Sequence, residues 1–147
     1  MLTPKEKDDL FYVCSLIEYI ARETCNYRKD IIKYFTPEVL KWQLRVADVN
    51  HCLSFEQVSD ELIDTLNIKY GNFDSVKNCK YTVPSYISIG RVFQMLILNV
   101  DNGDIIQTTI NVFSSFISDL IANFNSSLYY SNPDYLRCSY LEGKLCA

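Results

Sequence analysis

The sequence predicts an all-α fold, a single-domain bundle of six or seven helices, and three observations support this prediction. Apolar residues recur every three or four positions over most of the chain, which is the period of one helix face. Helix-start signals occur repeatedly between these segments, whereas strand-like alternation is nearly absent. The chain of 147 residues has only four Gly and four Pro and no linker-like segment, so we expect one domain, residues 1–147.

Capping signals indicate the helices of the first half of the chain. Thr3 and Glu6 form a capping box, in which two side chains satisfy free backbone N–H groups at a helix start. Ser54 and Gln57 form a second box, and Thr36 before a proline is a further start signal. With the apolar stripes that follow them, these signals predict helices at about residues 4–24, 26–35, 37–50 and 54–67.

The second half of the chain begins with a predicted loop at residues 70–83, which carries turn residues and no clean period. A fifth helix is expected at about residues 85–100. Asn132 before a proline opens the last helix, and Gly143 is well placed to end it.

Residues 104–124 carry the most regular apolar stripe, and we expect them to form one long helix at the centre of the bundle. The large residues of this stripe follow at intervals of three and four: Ile106, Ile110, Phe113, Ile117, Leu120 and Phe124. The opposite side is small and nearly uncharged, which lets a second helix approach, and consists of Asp104, Thr108, Asn111, Ser115, Ser118 and Ala122. A short turn precedes this helix, so residues 85–124 should form a central antiparallel hairpin.

The charge balance limits the classes of partner. The formal net charge is −4 and the pI is near 4.9, whereas binding to nucleic-acid phosphates depends on clustered Lys and Arg. We therefore expect no nucleic-acid partner, and a basic protein surface fits better. The first residues lack the apolar core of a signal peptide, and no segment is a convincing membrane span. We expect a cytoplasmic protein with no membrane partner and with its six Cys reduced.

An acidic segment at residues 48–66 is the most informative polar feature. It contains five acids and no Lys or Arg, and Asp60, Glu61 and Asp64 share one face of the fourth helix. Such a row is usually a solvated helix face, but it can also attract and orient a basic partner. We take these three acids as candidate partner-binding residues. Residues 22–45, by contrast, hold six basic and three acidic residues, so charge is polarised along the chain.

Tyr129 and Tyr130 are the second candidate contact with a partner. Tyrosine covers a large apolar area at low entropic cost and keeps a polar tip, so it is enriched in protein interfaces. It also lines ordinary helix junctions. Self-association through this tyrosine surface, or through the apolar hairpin, is a further alternative that makes the protein a homo-oligomer.

The single histidine, His51, is the one feature that suggests catalysis or metal binding. Its neighbour Cys52 points away from it on a regular backbone, and the six Cys lack the CxxC spacing of zinc sites. No Gly-rich phosphate loop or hydrolase signature is present. We therefore expect no cofactor, metal site or catalytic residue. The alternative is a small enzyme or metal-binding protein that uses His51 with carboxylates or cysteines.

Four segments resemble a small uncharacterised family of helical proteins from gut Gram-positive bacteria: KEKDDLFYVCSLIEYIAR, VNHCLSFEQVSDELID, CKYTVPSYISIGRV and SSLYYSNPDYLRCSYLEGK. The resemblance extends over nearly the whole chain. This family is similar to those found beside genes for predicted ADP-ribosyltransferase-fold proteins, in arrangements suggestive of toxin and antitoxin. The resemblance implies a toxin-like partner and assigns no role to any residue. We interpret the sequence as that of a non-enzymatic antitoxin or inhibitor, which neutralises a basic or ADP-ribosyltransferase-like protein.

Overall fold

The computed structural model describes residues 1–146 and confirms the all-α bundle. No strand forms within these residues, and none of their helices has the length and apolarity that crossing a membrane requires. The elements are α1 (Pro4–Thr24), α2 (Arg28–Ile32), α3 (Pro37–Asn50), α4 (Phe55–Thr65), α5 (Tyr86–Val100), α6 (Ile105–Ser114), α7 (Phe116–Ile121), the 3-10 turn η1 (Leu128–Tyr130) and α8 (Pro133–Glu142).

The predicted capping signals are present at the helix starts. In the capping boxes of α1 and α4, the side chains of Thr3 and Ser54 accept a hydrogen bond from the third backbone N–H of the helix. In return, the side chains of Glu6 and Gln57, at the third position of each helix, accept a hydrogen bond from the backbone N–H of the cap residue. Asn132 caps α8, and Gly143 ends it with a left-handed φ of 78°. These helix boundaries therefore follow from local sequence.

The centre of the bundle is α1, which packs along α5 and also contacts α2, α3 and α4. Eleven of its 21 residues are buried, which is more than the single buried stripe of an ordinary surface helix provides. The two helices approach most closely where Ser15 meets Gly90. A Cβ atom at position 90 would lie 2.7 Å from the Cα of Ser15 and 2.8 Å from its backbone nitrogen, so this crossing requires glycine.

The predicted hairpin of α5 and α6 is present beside this central pair. The rings of Phe93 and Phe113 stack across it with centroids 4.3 Å apart. The small side of residues 104–124 is covered, as expected, at Thr108, Ser118 and Ala122. The most extensive helix contact, however, is made by α1 rather than by this segment.

The prediction of one continuous helix at residues 104–124 is wrong, because α6 and α7 are separated at Ser115. The backbone of Ser115 is extended, with a ψ of 166°. Its hydroxyl donates to the carbonyl oxygen of Val112 at 2.7 Å, which competes with the helical backbone hydrogen bond. This break raises the number of α-helices within residues 1–146 to eight, above the six or seven expected.

The connection between α4 and α5 is a loop, as predicted, and hydrogen bonds attach it to the end of α1. The backbone N–H of Gly71 donates to the carbonyl oxygen of Thr24 at 2.8 Å. The side-chain amide of Asn26 donates to the carbonyl oxygen of Lys69 at 2.8 Å. Asn26 therefore does not cap α2, which begins later than expected, at Arg28.

A buried charge cluster joins α1, α2 and this loop. Glu18 and Arg28 are fully buried, and the Arg28 Nε donates to the Glu18 Oε1 at 2.6 Å. Arg22 Nε donates to the other carboxylate oxygen at 2.7 Å, and Arg28 also reaches the hydroxyl of Ser75 at 3.0 Å. Burial alone would raise the pKa of Glu18, but the two guanidinium groups outweigh it and hold that pKa below its ordinary value.

Candidate protein-binding face

The three predicted acids of α4 face solvent. The buried side of the helix lies against α1 and consists of Val58, Ser59 and Leu62. Asp60, Glu61 and Asp64 are exposed, which confirms that they share a solvent-facing side. Within residues 1–146 none of the three forms an ion pair, so their charges are not neutralised by the bundle itself.

An aromatic cluster of Tyr19, Phe55 and Tyr86 lies at the start of α4. Phe55 is the first residue of α4, and its ring lies 4.9 Å from that of Tyr86 in α5 and 5.9 Å from that of Tyr19 in α1. The rings of Tyr19 and Tyr86 are 5.0 Å apart and meet edge to face. All three residues are half-buried, so the cluster keeps part of its aromatic surface exposed.

Asp60 connects the acidic row of α4 to the aromatic cluster, because it lies near Tyr19. Partial burial raises the pKa of Tyr19, and the negative charges of Glu23, Glu56 and Asp60 raise it further. Carboxylates of both α1 and α4 therefore surround this ring. We call the acidic side of α4, together with the aromatic cluster, the acidic aromatic face. Aromatic rings are enriched in surfaces that bind other proteins, and unpaired charges can orient an oppositely charged partner.

A cleft of about 470 Å³ adjoins the aromatic cluster at Phe55. Its walls come from α1, α3, α4 and α5, and the apolar residues of its lining are Phe11, Tyr12, Ala47, Phe55 and Ile87. The rings of Tyr12 and Phe55 stack with centroids 5.1 Å apart, so Phe55 belongs to both the cleft and the cluster. The volume lies within the range of pockets that bind ligands.

Carboxylates surround the cleft. The Lys5 Nζ lies 2.9 Å from the Oδ2 of Asp9 and 3.9 Å from that of Asp48. Asp8 also lines the cleft and is exposed, and within residues 1–146 it forms no ion pair. The lining therefore carries three carboxylates and two cations, Lys5 and Arg91.

Two further polar side chains line the cleft. The guanidinium carbon of Arg91 lies 3.7 Å from the centre of the Phe11 ring, and its Nη1 donates to the side-chain oxygen of Gln94. The hydroxyl of Ser15 is buried and has no hydrogen-bond partner, which is unusual for a buried polar group. This hydroxyl faces the crossing of α1 and α5, because a Cβ atom at Gly90 would lie 2.1 Å from its Oγ.

Tyr12 and His51 form the side of the cleft nearest the end of α3. Burial raises the pKa of Tyr12 to about 12, so its phenol stays protonated at neutral pH. Its hydroxyl donates to the carbonyl oxygen of Asn50 at 3.4 Å. The exposed His51 ring meets the Tyr12 ring edge to face at 6.1 Å. Tyr12 is thus held by packing and hydrogen bonding.

The structure also locates the residues of the enzyme or metal-binding alternative. His51 lines the cleft, and Cys52 beside it is exposed. Within residues 1–146 no three His, Cys, Asp or Glu side chains are arranged to hold a metal ion. No disulfide joins the six cysteines. A role for His51 with carboxylates or cysteines stays a prediction.

Tyr129 and Tyr130 occupy η1, which packs against α5 and α7, whereas α4 packs against α1. Their rings lie 4.9 Å apart, and Tyr129 also meets the ring of Phe124 at 5.9 Å. Tyr129 is half-buried and Tyr130 is exposed. Tyr129 therefore contributes to packing, and Tyr130 offers the more accessible ring of the pair.

Part of the basic segment at residues 22–45 is paired with acids of the bundle, whereas Lys41 and Arg45 are exposed and form no ion pair within residues 1–146. Arg22 and Arg28 belong to the buried charge cluster, and Lys29 pairs with Asp119 at 2.8 Å. Internal pairing thus consumes much of the positive charge, while the acids of α4 stay unpaired. The charge difference between the two segments therefore appears in the structure as an exposed negative surface on α4.

No family model, no curated protein and no solved structure matches this chain.

Proposed function

We propose that this protein is a non-enzymatic cytoplasmic protein that binds and neutralises a basic partner protein, as an antitoxin or inhibitor does. The observation that carries this proposal is the exposed, unpaired acidic row of α4, whose Asp60 lies near Tyr19 of the aromatic cluster. Aromatic side chains supply contact area, and a row of like charges steers and orients an oppositely charged partner. The resemblance described above adds the expectation that this partner has an ADP-ribosyltransferase-like fold.

The bundle is suited to this role because its binding surface stands on a well-packed support. α4 is fixed to α1 by buried side chains, and the cluster joins it to α5 through Phe55 and Tyr86. A preorganised surface of this kind loses little conformational entropy on binding. Tyr130 is a second candidate contact at a separate place on the bundle.

The test compares two triple charge reversals of the full chain. The first variant carries Asp60→Lys, Glu61→Lys and Asp64→Lys; the control carries Glu38→Lys, Asp134→Lys and Glu142→Lys, at exposed acids on other helices. Each protein is used to capture partners from lysate of the source bacterium. The partner is then purified, and its association rate is measured at low and at physiological salt. Circular dichroism establishes that both variants fold.

We expect a stoichiometric partner whose association with the α4 variant is slower by about tenfold or more, with a smaller difference at higher salt. The control variant should bind like the wild type. In cells, the wild type and the control should suppress the toxicity of the partner, and the α4 variant should not. Equal association rates for the two variants would refute the proposed surface.

A further inference from the structure

We propose that the loop between α4 and α5, residues 66–85, binds the acidic row of α4 in a second copy of this chain, so that two copies form a dimer. This inference rests on the proposed function and adds regulation to it, because such a dimer covers the acids that the basic partner would bind. The loop combines an inner side that is attached to the bundle with an outer side that carries unpaired charge and exposed aromatic rings.

The inner side of the loop is held in place, although the loop has no helix or strand of its own. The rings of Phe73 and Tyr27 stack with centroids 4.0 Å apart. Further along the loop, the backbone N–H of Lys80 donates to the side-chain oxygen of Asn125 at 2.8 Å, and the Asn125 amide donates to the carbonyl oxygen of Asn78 at 2.9 Å. Long ordered loops commonly carry function, and an attached loop presents its outward side chains at a low entropic cost.

The outer side of the loop is basic and aromatic. Three of its lysines are exposed and form no ion pair within residues 1–146: Lys69, Lys77 and Lys80. Tyr70 and Tyr81 are 73% and 70% exposed, and each directly follows one of these lysines. The one acid of the loop, Asp74, is half-buried and accepts a hydrogen bond from the backbone N–H of Lys77. The loop therefore displays net positive charge beside two accessible rings.

The acidic row of α4 has the opposite charge and belongs to the same chain. α4 carries four acids and no Lys or Arg, and all four are exposed without an ion pair within residues 1–146. Complementary charges orient two surfaces toward each other, whereas like charges keep each surface from pairing with itself. A nucleic acid fits the loop less well, because the net charge of −4 opposes a polyanion. A second copy is thus the occupant that the charges favour.

The order of the two surfaces in the chain favours a closed dimer. Asp64 of α4 and Lys69 of the loop are five positions apart, so their Cα atoms lie within about 18 Å of each other even in an extended chain. A two-fold axis beside this junction pairs each α4 with the loop of the other copy, and both contacts form at once. Exposed ion pairs contribute about 0–1 kcal/mol each, so the dimer is weak and a tighter basic partner displaces it.

The experiment measures the mass of the full chain by sedimentation velocity, over a series of concentrations at low and at physiological salt. We expect a monomer–dimer equilibrium with a Kd of about 100 μM at low salt, weakened about fivefold at physiological salt because salt screens exposed charges. The row variant carries the three lysine substitutions of α4 given above. The loop variant carries Lys69→Glu, Lys77→Glu and Lys80→Glu. Each variant should dimerise about tenfold more weakly than the wild type.

A variant with all six substitutions keeps the net charge of the wild type and exchanges the signs of the two surfaces. We expect it to dimerise about tenfold more tightly than either triple variant. An equimolar mixture of the row and loop variants should form a heterodimer, because both contacts are then attractive. The control carries Lys7→Glu, Lys41→Glu and Arg45→Glu, at exposed bases elsewhere, and has the net charge of the loop variant. Mixed with the row variant, it should associate far more weakly. Circular dichroism establishes that each variant folds.

Three results would overturn the dimer: a wild type that stays monomeric at every concentration, a loop variant that dimerises like the wild type, or a six-substitution variant that stays monomeric. Because the measurement needs no partner protein, it fails independently of the proposed function. A captured partner together with a monomeric wild type would remove only the dimer. A dimer without any captured partner would remove only the neutralising function.

Discussion

Glu18 of α1 and Arg28 of α2 are both fully buried and form two side-chain hydrogen bonds to each other. Arg22 shares the same carboxylate, and Ser75 of the loop between α4 and α5 accepts a further bond from Arg28. This cluster is the polar centre that fixes α2 and the loop to the end of α1. Its charges are excluded from water, so each depends on the others for compensation.

Replacing Glu18 with Gln should destabilise the protein strongly. The substitution keeps the size of the side chain but leaves the buried Arg28 without its counter-charge, which typically costs about 3–5 kcal/mol. Urea denaturation followed by circular dichroism measures the loss. The control is Glu23→Gln, an exposed acid of the same helix, which should change the free energy of unfolding by less than about 0.5 kcal/mol. Equal stability of the two variants would contradict the buried ion pair.

The stabilisation from Glu18 should disappear in acid. The guanidinium groups hold the pKa of Glu18 below its ordinary value of 4.5, so the folded state binds this proton less readily than the unfolded state. The stabilisation is therefore complete above pH 4.5 and is lost as the pH falls through the lower pKa of the folded protein. We expect the difference in unfolding free energy between wild type and Glu18→Gln to be constant from pH 7 to 6 and to shrink below 4.5. If the difference in unfolding free energy instead grew in acid, the pKa of Glu18 would be raised in the folded protein, which would contradict this prediction.

Local and long-range features of this cluster differ in how far they can be predicted. Glu18 follows Cys14 by four positions and precedes Ala21 by three, so the sequence places it on the buried side of α1. Its partner Arg28 comes from another helix, after the turn at Cys25. No spacing rule identifies that pairing, because the tertiary fold creates it.

The same distinction applies to the candidate site. The exposed row on α4 was predictable, because Asp60 and Asp64 are four residues apart on a helix whose start the capping box defines. The aromatic cluster was not predictable, since Tyr19, Phe55 and Tyr86 come from three helices. Asp8 and Ser15 lie two turns apart on one side of α1, but the opposite wall of the cleft comes from other elements.

The break of the predicted central helix has a local physical cause. Apolar periodicity continues across Ser115 because both α6 and α7 pack on the same core. The Ser115 hydroxyl, however, bonds to the carbonyl oxygen of Val112 and helps to end α6. The apolar pattern predicts which side is buried, and it does not report whether the backbone is continuous.

Replacing Gly90 with Ala should destabilise the contact between α1 and α5. The added methyl group would lie 2.7 Å from the Cα of Ser15, a backbone atom that cannot rotate away. Overpacking of this kind costs about 1–3 kcal/mol, although alanine is intrinsically the better helix former. Thermal denaturation measures the effect, with Asn99→Ala at an exposed position of the same helix as the control. A Gly90→Ala protein at least as stable as the wild type would contradict the close crossing.

Cysteine reactivity should separate Cys14 from Cys52 in the native protein. Cys14 is fully buried in α1, and burial raises the pKa of its thiol, so the reactive thiolate is disfavoured and the reagent has no access. Cys52 is exposed at the end of α3. We expect iodoacetamide to label Cys52 in the folded protein and Cys14 only after unfolding in denaturant, as measured by peptide mass spectrometry. Cys52→Ser should remove the Cys52 label without exposing Cys14. Equal labelling of the two thiols under native conditions would show that the α1 core opens readily.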